Sequence, residues 1–141
     1  MGGRMTPQEL LDQARALMKE RYCKEGHHSV VAAAVLTKSG KVFRALNAGT
    51  NQPSLATCAE IIAIGMANTD DPHMEIDMIV AVRDRDAYVI SPCGRCREYI
   101  ADYGPNAHVL MPADNEWGYT IEPITALIPN KYVKREPVCE S

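Results

Sequence analysis

The sequence lacks a surplus of basic residues: 15 Lys and Arg stand against 18 Asp and Glu, a net charge of −3. A nucleic-acid groove calls for the opposite balance, so nucleic acid is not an expected partner. Long apolar runs are also missing. The uninterrupted stretch at 30–36 is far shorter than the roughly 20 residues of a membrane-spanning helix, which excludes a membrane role of that kind. The opening residues do not read as an export signal. There is no internal repeat and no low-complexity segment. Nor is there an even set of cysteines: the five present read as reduced thiols or metal ligands rather than a disulfide frame, and this favours a cytoplasmic setting.

What is present is enough for one domain with a sizeable core. The 141 residues are expected to form a single unit, with residues 1–5 as a short leader and 133–141 as a polar tail. Within it, two short stretches concentrate the chemistry. Thr57-Cys58-Ala59-Glu60 and Ser91-Pro92-Cys93-Gly94-Arg95-Cys96 put their first cysteines 35 positions apart. Each reads as a helix start. Residues 58–68 are apolar on nearly every side, which predicts a buried helix. Residues 93–103 form a helix that Tyr103-Gly104-Pro105 stops.

Helix starts carry unpaired N–H groups and the positive dipole end, and both favour thiolates. Two such starts facing each other can hold Cys58, Cys93 and Cys96 around one Zn²⁺. Three protein ligands and one open position describe a catalytic zinc rather than a structural one. Glu60, two residues after Cys58, lies close to that metal without binding it. It can take a proton from attacking water and pass it to a leaving group.

The rest of the chain predicts an α/β fold, a three-layer α/β/α sandwich around a five-stranded mixed sheet. A first helix at 7–22 opens with Thr6 as N-cap, Pro7 at N1 and Glu9 in a capping box. Leu10, Leu11, Ala14, Leu17 and Met18 form its core stripe. Gly26-His27-His28 reads as a solvated loop. A hairpin follows, with strands 30–36 and 42–46 joined by the turn Lys38-Ser39-Gly40-Lys41. The polar loop 47–54 leads into the first cysteine helix. A third strand at 76–82 is apolar throughout, hence covered on both faces. Arg83-Asp84-Arg85-Asp86 reads as a solvated loop. Strands at 107–111 and 117–121 and a short helix at 123–127 complete the pattern.

Other readings of the cysteines exist. Cys-x-x-Cys alone fits a redox site or a structural zinc. The redox reading leaves Cys58-Ala59-Glu60 unexplained. A structural zinc needs a fourth ligand from Cys23 or Cys139, neither of which has a paired spacing. A catalytically dead binding module is opposed by the intact Glu60.

Cys-x-Glu followed by Pro-Cys-x-x-Cys is the ligand-and-shuttle pattern of zinc deaminases, with cysteine as first ligand. Over roughly 30–132 the chain resembles the cytidine deaminase superfamily, on its small branch with three cysteine ligands. That branch holds homotetrameric cytidine deaminases and blasticidin S deaminase. The resemblance implies zinc on Cys58, Cys93 and Cys96, with Glu60 as proton shuttle. It implies that the Ala59 N–H faces the pyrimidine carbonyl and that the Ser91 carbonyl faces the leaving amine. Asn47 matches the asparagine of the family's ribose clamp, eleven residues before the first cysteine. The clamp's glutamate is absent: Gly49 stands there. Phe43 lies near the base-packing position. The run 127–132 is similar to the family's Leu-Leu-Pro-x-x-Phe end, with Tyr132 as the aromatic that reaches a neighbouring subunit's site. Ile61 stands where many cytidine deaminases carry Arg. That apolar residue, together with Ser-Pro-Cys-Gly-Arg-Cys-Arg, is similar to blasticidin S deaminase. The implied activity is hydrolytic deamination of a small cytosine nucleoside, or of a cytosine-containing antibiotic, by a homotetramer.

Overall fold

The computed structural model describes residues 4–21 and 30–135. Gly26-His27-His28, Cys23 and Cys139 lie outside the described residues, as do Tyr22 and most of the polar tail. Helix α1 spans Pro7–Arg21. Its capping box forms: the Glu9 N–H donates to Thr6 Oγ1 and the Thr6 N–H to Glu9 Oε1. Strands β1 (Val31–Thr37) and β2 (Val42–Leu46) make the hairpin, turning at Gly40, whose φ of +93° suits glycine. Helix α2 spans Ala59–Asp70 and β3 spans Ile76–Arg83. Strand β4 is Tyr88–Val89, and helix α3 spans Gly94–Tyr103. Strands β5 (His108–Pro112) and β6 (Tyr119–Pro123) precede helix α4 (Ile124–Leu127). No described helix is long and apolar enough to cross a membrane.

The main sheet order is β2-β1-β3-β5-β6, with β3 and β5 parallel and the other neighbours antiparallel. Side chains alternate across it as the pleat requires. Ala32, Ala34, Leu36, Val80 and Val82 pack against Leu10, Leu11, Ala14 and Met18 of α1. Val35, Ile79 and Val109 pack on the other face with Ala63 and Ile64 of α2, Ile100 of α3 and Ile124 of α4. The expected three layers are therefore present.

Three details differ from the sequence reading. A sixth strand exists: after a turn with Asp84 and Ala87 at positive φ, β4 pairs antiparallel with the end of β3. Two residues are too few to show an alternation pattern. The last strand starts two residues later than expected. Asn115 Oδ1 accepts the Trp117 and Gly118 N–H groups, so Trp117 belongs to the turn. Helix α2 is not covered on every side, because Gly65 and Met66 are exposed and Ile61 and Ile62 half-buried.

Gly104, where α3 stops, is buried against the start of β3. A Cβ there would lie 2.7 Å from Ile76 Cβ and 2.8 Å from the Ile76 carbonyl oxygen. One of those atoms is backbone and cannot move alone. Gly104→Ala is therefore expected to destabilise the chain by about 1–3 kcal/mol, the usual cost of overpacking, read as a lower urea midpoint. An unchanged midpoint would mean that the α3–β3 junction yields freely.

Candidate active site and metal centre

The second edge of β3 is shared. Strand β5 pairs with its first half at Met78 and Ile79, and β4 with its end at Val82 and Arg83. The Ile90 N–H continues the β4 pairing by donating to the Ala81 carbonyl. Residues 91–93 then leave the sheet and enter α3. Beneath this point the sheet is built of small residues. Ala33 and Ala81 are buried against Ala59, with Val31 and Ile90 around them. Their small size lets the first turn of α2 sit directly on the sheet.

Both cysteine helices begin as the sequence predicts. Cys58 is the N-cap of α2 and Cys93 the N-cap of α3, each in extended backbone conformation and without a side-chain capping bond. Cys96 lies in the first turn of α3 and is buried, whereas Cys58 is half-buried and Cys93 exposed. The Cys58 and Cys93 sulfurs are 4.0 Å apart, and those of Cys93 and Cys96 are 3.6 Å apart. All three lie within 4.8 Å of one another. Sulfurs at about 2.3 Å from a tetrahedral zinc stand about 3.8 Å from each other, so the triangle fits one ion. Among the described residues this is the one cluster of three metal-ligating side chains.

The electrostatics fit a cation as well. Burial opposes ionisation of Cys93, but the Cys96 and Arg95 backbone N–H groups and the two neighbouring thiols outweigh it and hold its pKa below the ordinary thiol value. The backbone part of this is the effect of a helix start. Burial pushes the Cys58 thiol up. Burial, then the Glu60 charge, pushes the Cys96 thiol up further. Three sulfurs so placed can all be thiolates only beside a positive ion.

Glu60 occupies the second position of α2 and is only 4 % exposed, near Ala81, Ile90 and Pro92. Burial raises its carboxyl pKa, and its own backbone N–H and the Cys96 thiol moderate the rise. A carboxyl so raised exchanges protons closer to neutral pH than an exposed one would.

The expected substrate-facing residues are distributed unevenly. Ala59 is the first residue of α2, where an N–H has no acceptor within its helix. Ser91 is exposed immediately before Pro92. Asn47 sits beside β1: its Oδ1 accepts the Val31 N–H at 2.9 Å, and its own N–H donates to the Val31 carbonyl. The next residue, Ala48, exchanges both backbone bonds with Thr57, just before Cys58. The polar loop is thereby fastened to the start of α2. Phe43 pairs with Val35 across the hairpin, on the sheet face that α2 covers, and is half-buried. Tyr132 is 77 % exposed, so it does not pack on its own chain's surface.

One participant stands outside the cysteine-and-glutamate pattern. Arg97, the last residue of Ser-Pro-Cys-Gly-Arg-Cys-Arg, donates from Nε to the Pro92 carbonyl at 2.9 Å. Its Nη1 donates to the Leu127 carbonyl at 2.8 Å and its Nη2 to Ser91 Oγ at 2.8 Å. Its position four residues after Cys93 was the available signal, because i and i+4 share a helix face.

Comparison with known proteins agrees with this geometry. Residues 5–111 match the family profile described as "Cytidine and deoxycytidylate deaminase zinc-binding region". The chain is 38% identical over 133 residues to blasticidin-S deaminase of Bacillus cereus, covering 89% of this chain and 91% of that one. It is 29% identical over 107 residues to a probable cytidine deaminase of Dictyostelium discoideum, covering 76% and 71%. The crystal structure of cytidine deaminase from Burkholderia pseudomallei superposes with a TM-score of 0.74 at 27% identity, covering 91% of this chain and 100% of that one.

Proposed function

The chain belongs to the cytidine and deoxycytidylate deaminase family, and from that premise we propose that it hydrolyses a small, free cytosine nucleoside or close analogue to the uracil form with release of ammonia. The observation that carries this reading is a nearly buried Glu60 beside three thiols within 4.8 Å of one another. Cys58, Cys93 and Cys96 are the proposed holders of one zinc ion per chain. Bound zinc supplies the Lewis acid that makes water a nucleophile near neutral pH. Glu60 accepts a proton from the attacking water and delivers it to the ring nitrogen beside the reacting carbon. It then carries a second proton to the departing amine. The Ala59 N–H orients the ring carbonyl and the Ser91 carbonyl accepts from the amine. Asn47 meets a sugar hydroxyl through its amide nitrogen, and Phe43 packs near the base.

A cytosine-containing antibiotic such as blasticidin S is the second reading. It is favoured by the 38% identity to the Bacillus cereus enzyme and by Gly49 and Ile61 at the two departures from the cytidine pattern. Ammonia release over cytidine, deoxycytidine, cytosine, guanine, adenosine and blasticidin S separates the two. Efficient deamination of single-stranded oligonucleotides would contradict both. Gly49 has ordinary φ and nothing within 4 Å of an added Cβ, so Gly49→Glu should be tolerated. It is expected to raise kcat/KM for ribosides over 2-deoxyribosides by roughly tenfold, the worth of one charge-assisted hydrogen bond. An unchanged ratio would remove the sugar from the Asn47 loop.

A homotetramer with dihedral symmetry is the proposed assembly. The uncovered apolar side of α2 and the projection of Tyr132 and Val133, at 77 % and 76 % exposed, support contact with other copies. Tyr132 enters a neighbour's site in this reading. Light scattering should give four chains per particle, and Tyr132→Ala should lose activity while keeping zinc. A fully active monomer would overturn it. The odd set of thiols supports a reducing, cytoplasmic compartment.

A further inference from the structure

The three acceptors of Arg97 lie on two segments that are remote in sequence. Ser91 and Pro92 form the turn into α3, and Leu127 ends α4, 30 positions beyond Arg97. None of the three bonds uses the Ser91 carbonyl oxygen, the atom assigned above to the leaving amine. The side chain is half-buried and starts from a helix turn that Cys96 anchors in the core. A lysine could not serve these acceptors together. Only the flat guanidinium offers donors on Nε and both Nη atoms in one fixed fork. The strip beyond Leu127 has a second fastening on the same helix. Lys131 Nζ lies 2.7 Å from Asp102 Oδ1 and 3.3 Å from Glu98 Oε2. The exit of α4 and the residues leading to Tyr132 are therefore held on the helix that carries two of the three thiols.

We propose that Arg97 is a positioning residue: its guanidinium fixes the Ser91–Pro92 turn over the thiol cluster and joins that turn to the strip leading to Tyr132. The catalytic part of this proposal rests on the deaminase reading; the mechanical part does not. With Arg97 in place, the Ser91 carbonyl, two residues before Cys93, is held in one orientation, and the strip leading to Tyr132 leaves α4 in one direction. Without it, each segment loses the restraint that ties it to the other. The Cys93 carbonyl accepts the Arg97 backbone N–H, a bond that side-chain substitution leaves intact. The helix start and its thiols therefore persist.

The test uses the full-length zinc-loaded chain and its Arg97→Ala and Arg97→Lys variants. Zinc is expected to stay at one per chain in both. For Arg97→Ala, kcat should fall about 10- to 100-fold, the usual effect of losing a group that orients a metal-site segment, while KM changes far less. Added guanidinium should restore part of the loss in Arg97→Ala and have no such effect on wild type. Amide hydrogen exchange should accelerate together at Ile90 and at Ile128, whose N–H groups donate to the Ala81 and Ile124 carbonyls. If Arg97→Ala fails to fold, Arg97→Lys decides, since it keeps the charge and stem; its kcat should also fall and both segments should loosen. Wild-type kcat in Arg97→Lys, or exchange that accelerates in one segment alone, overturns the proposal. A wild-type chain inactive on every substrate would sink the deaminase reading instead, and the exchange result would still decide the mechanical link.

Discussion

Glu60→Gln is expected to lose turnover by about 10³-fold or more while keeping one zinc per chain. A positioned acid–base group contributes about 10²–10⁴-fold, and here one carboxylate handles both proton transfers, so the loss should lie towards the upper end. The amide keeps the size of the side chain and removes its base. Stability should not suffer. Burial raises the folded-state pKa of Glu60 above its ordinary value, so the folded chain disfavours the ionised form, and that cost is present once pH exceeds the ordinary carboxylate range. A neutral amide removes it. Metal-free Glu60→Gln should therefore melt at or above the temperature of metal-free wild type near neutral pH. A variant with near-normal kcat would assign the proton shuttle to another residue.

The second large effect concerns Cys96, the buried member of the thiol triangle. Cys96→Ala should abolish zinc retention and activity together, because two sulfurs cannot hold the ion that three hold. Metal binding stabilises only the folded chain, by about 2.7 kcal/mol at a hundredfold excess over Kd. For a chain of this length that corresponds to roughly 10 °C in melting temperature. Treating wild type with a strong chelator should reproduce the same downward shift, and zinc should reverse it in wild type but not in the variant. Zinc retained at one per chain in Cys96→Ala would mean that the site uses a different ligand set.

Much of this site was legible because its signals are local. Pro92-Cys93-Gly94 and Thr57-Cys58-Ala59 announce helix starts within a few residues, and both cysteines are N-caps in the fold. The capping box at Thr6 and Glu9 is equally local, and it forms. Alternation in β1 and β3 follows from the pleat, and it divides the core between α1 and the cysteine helices. What escaped depends on partners remote in the chain. Asn47 matches a ligand-binding position by count, yet its Oδ1 is committed to the Val31 N–H across 16 positions. Arg97 carries no spacing signal for Leu127, 30 positions on. Strand β4 is held by pairing with β3, not by any pattern of its own. The apolar surround of α2 implied full burial, but one chain covers only part of it.

Glu60 and the three-thiol centre are expected to hydrolyse a cytosine nucleoside. The most direct measurement incubates zinc-loaded protein with cytidine and with blasticidin S in water enriched in heavy oxygen, and follows product mass and ammonia. At least one of the two should yield its uracil form carrying one solvent oxygen where the amine stood, with one ammonia per product. Both substrates returned unchanged by protein that holds one zinc per chain would contradict the account.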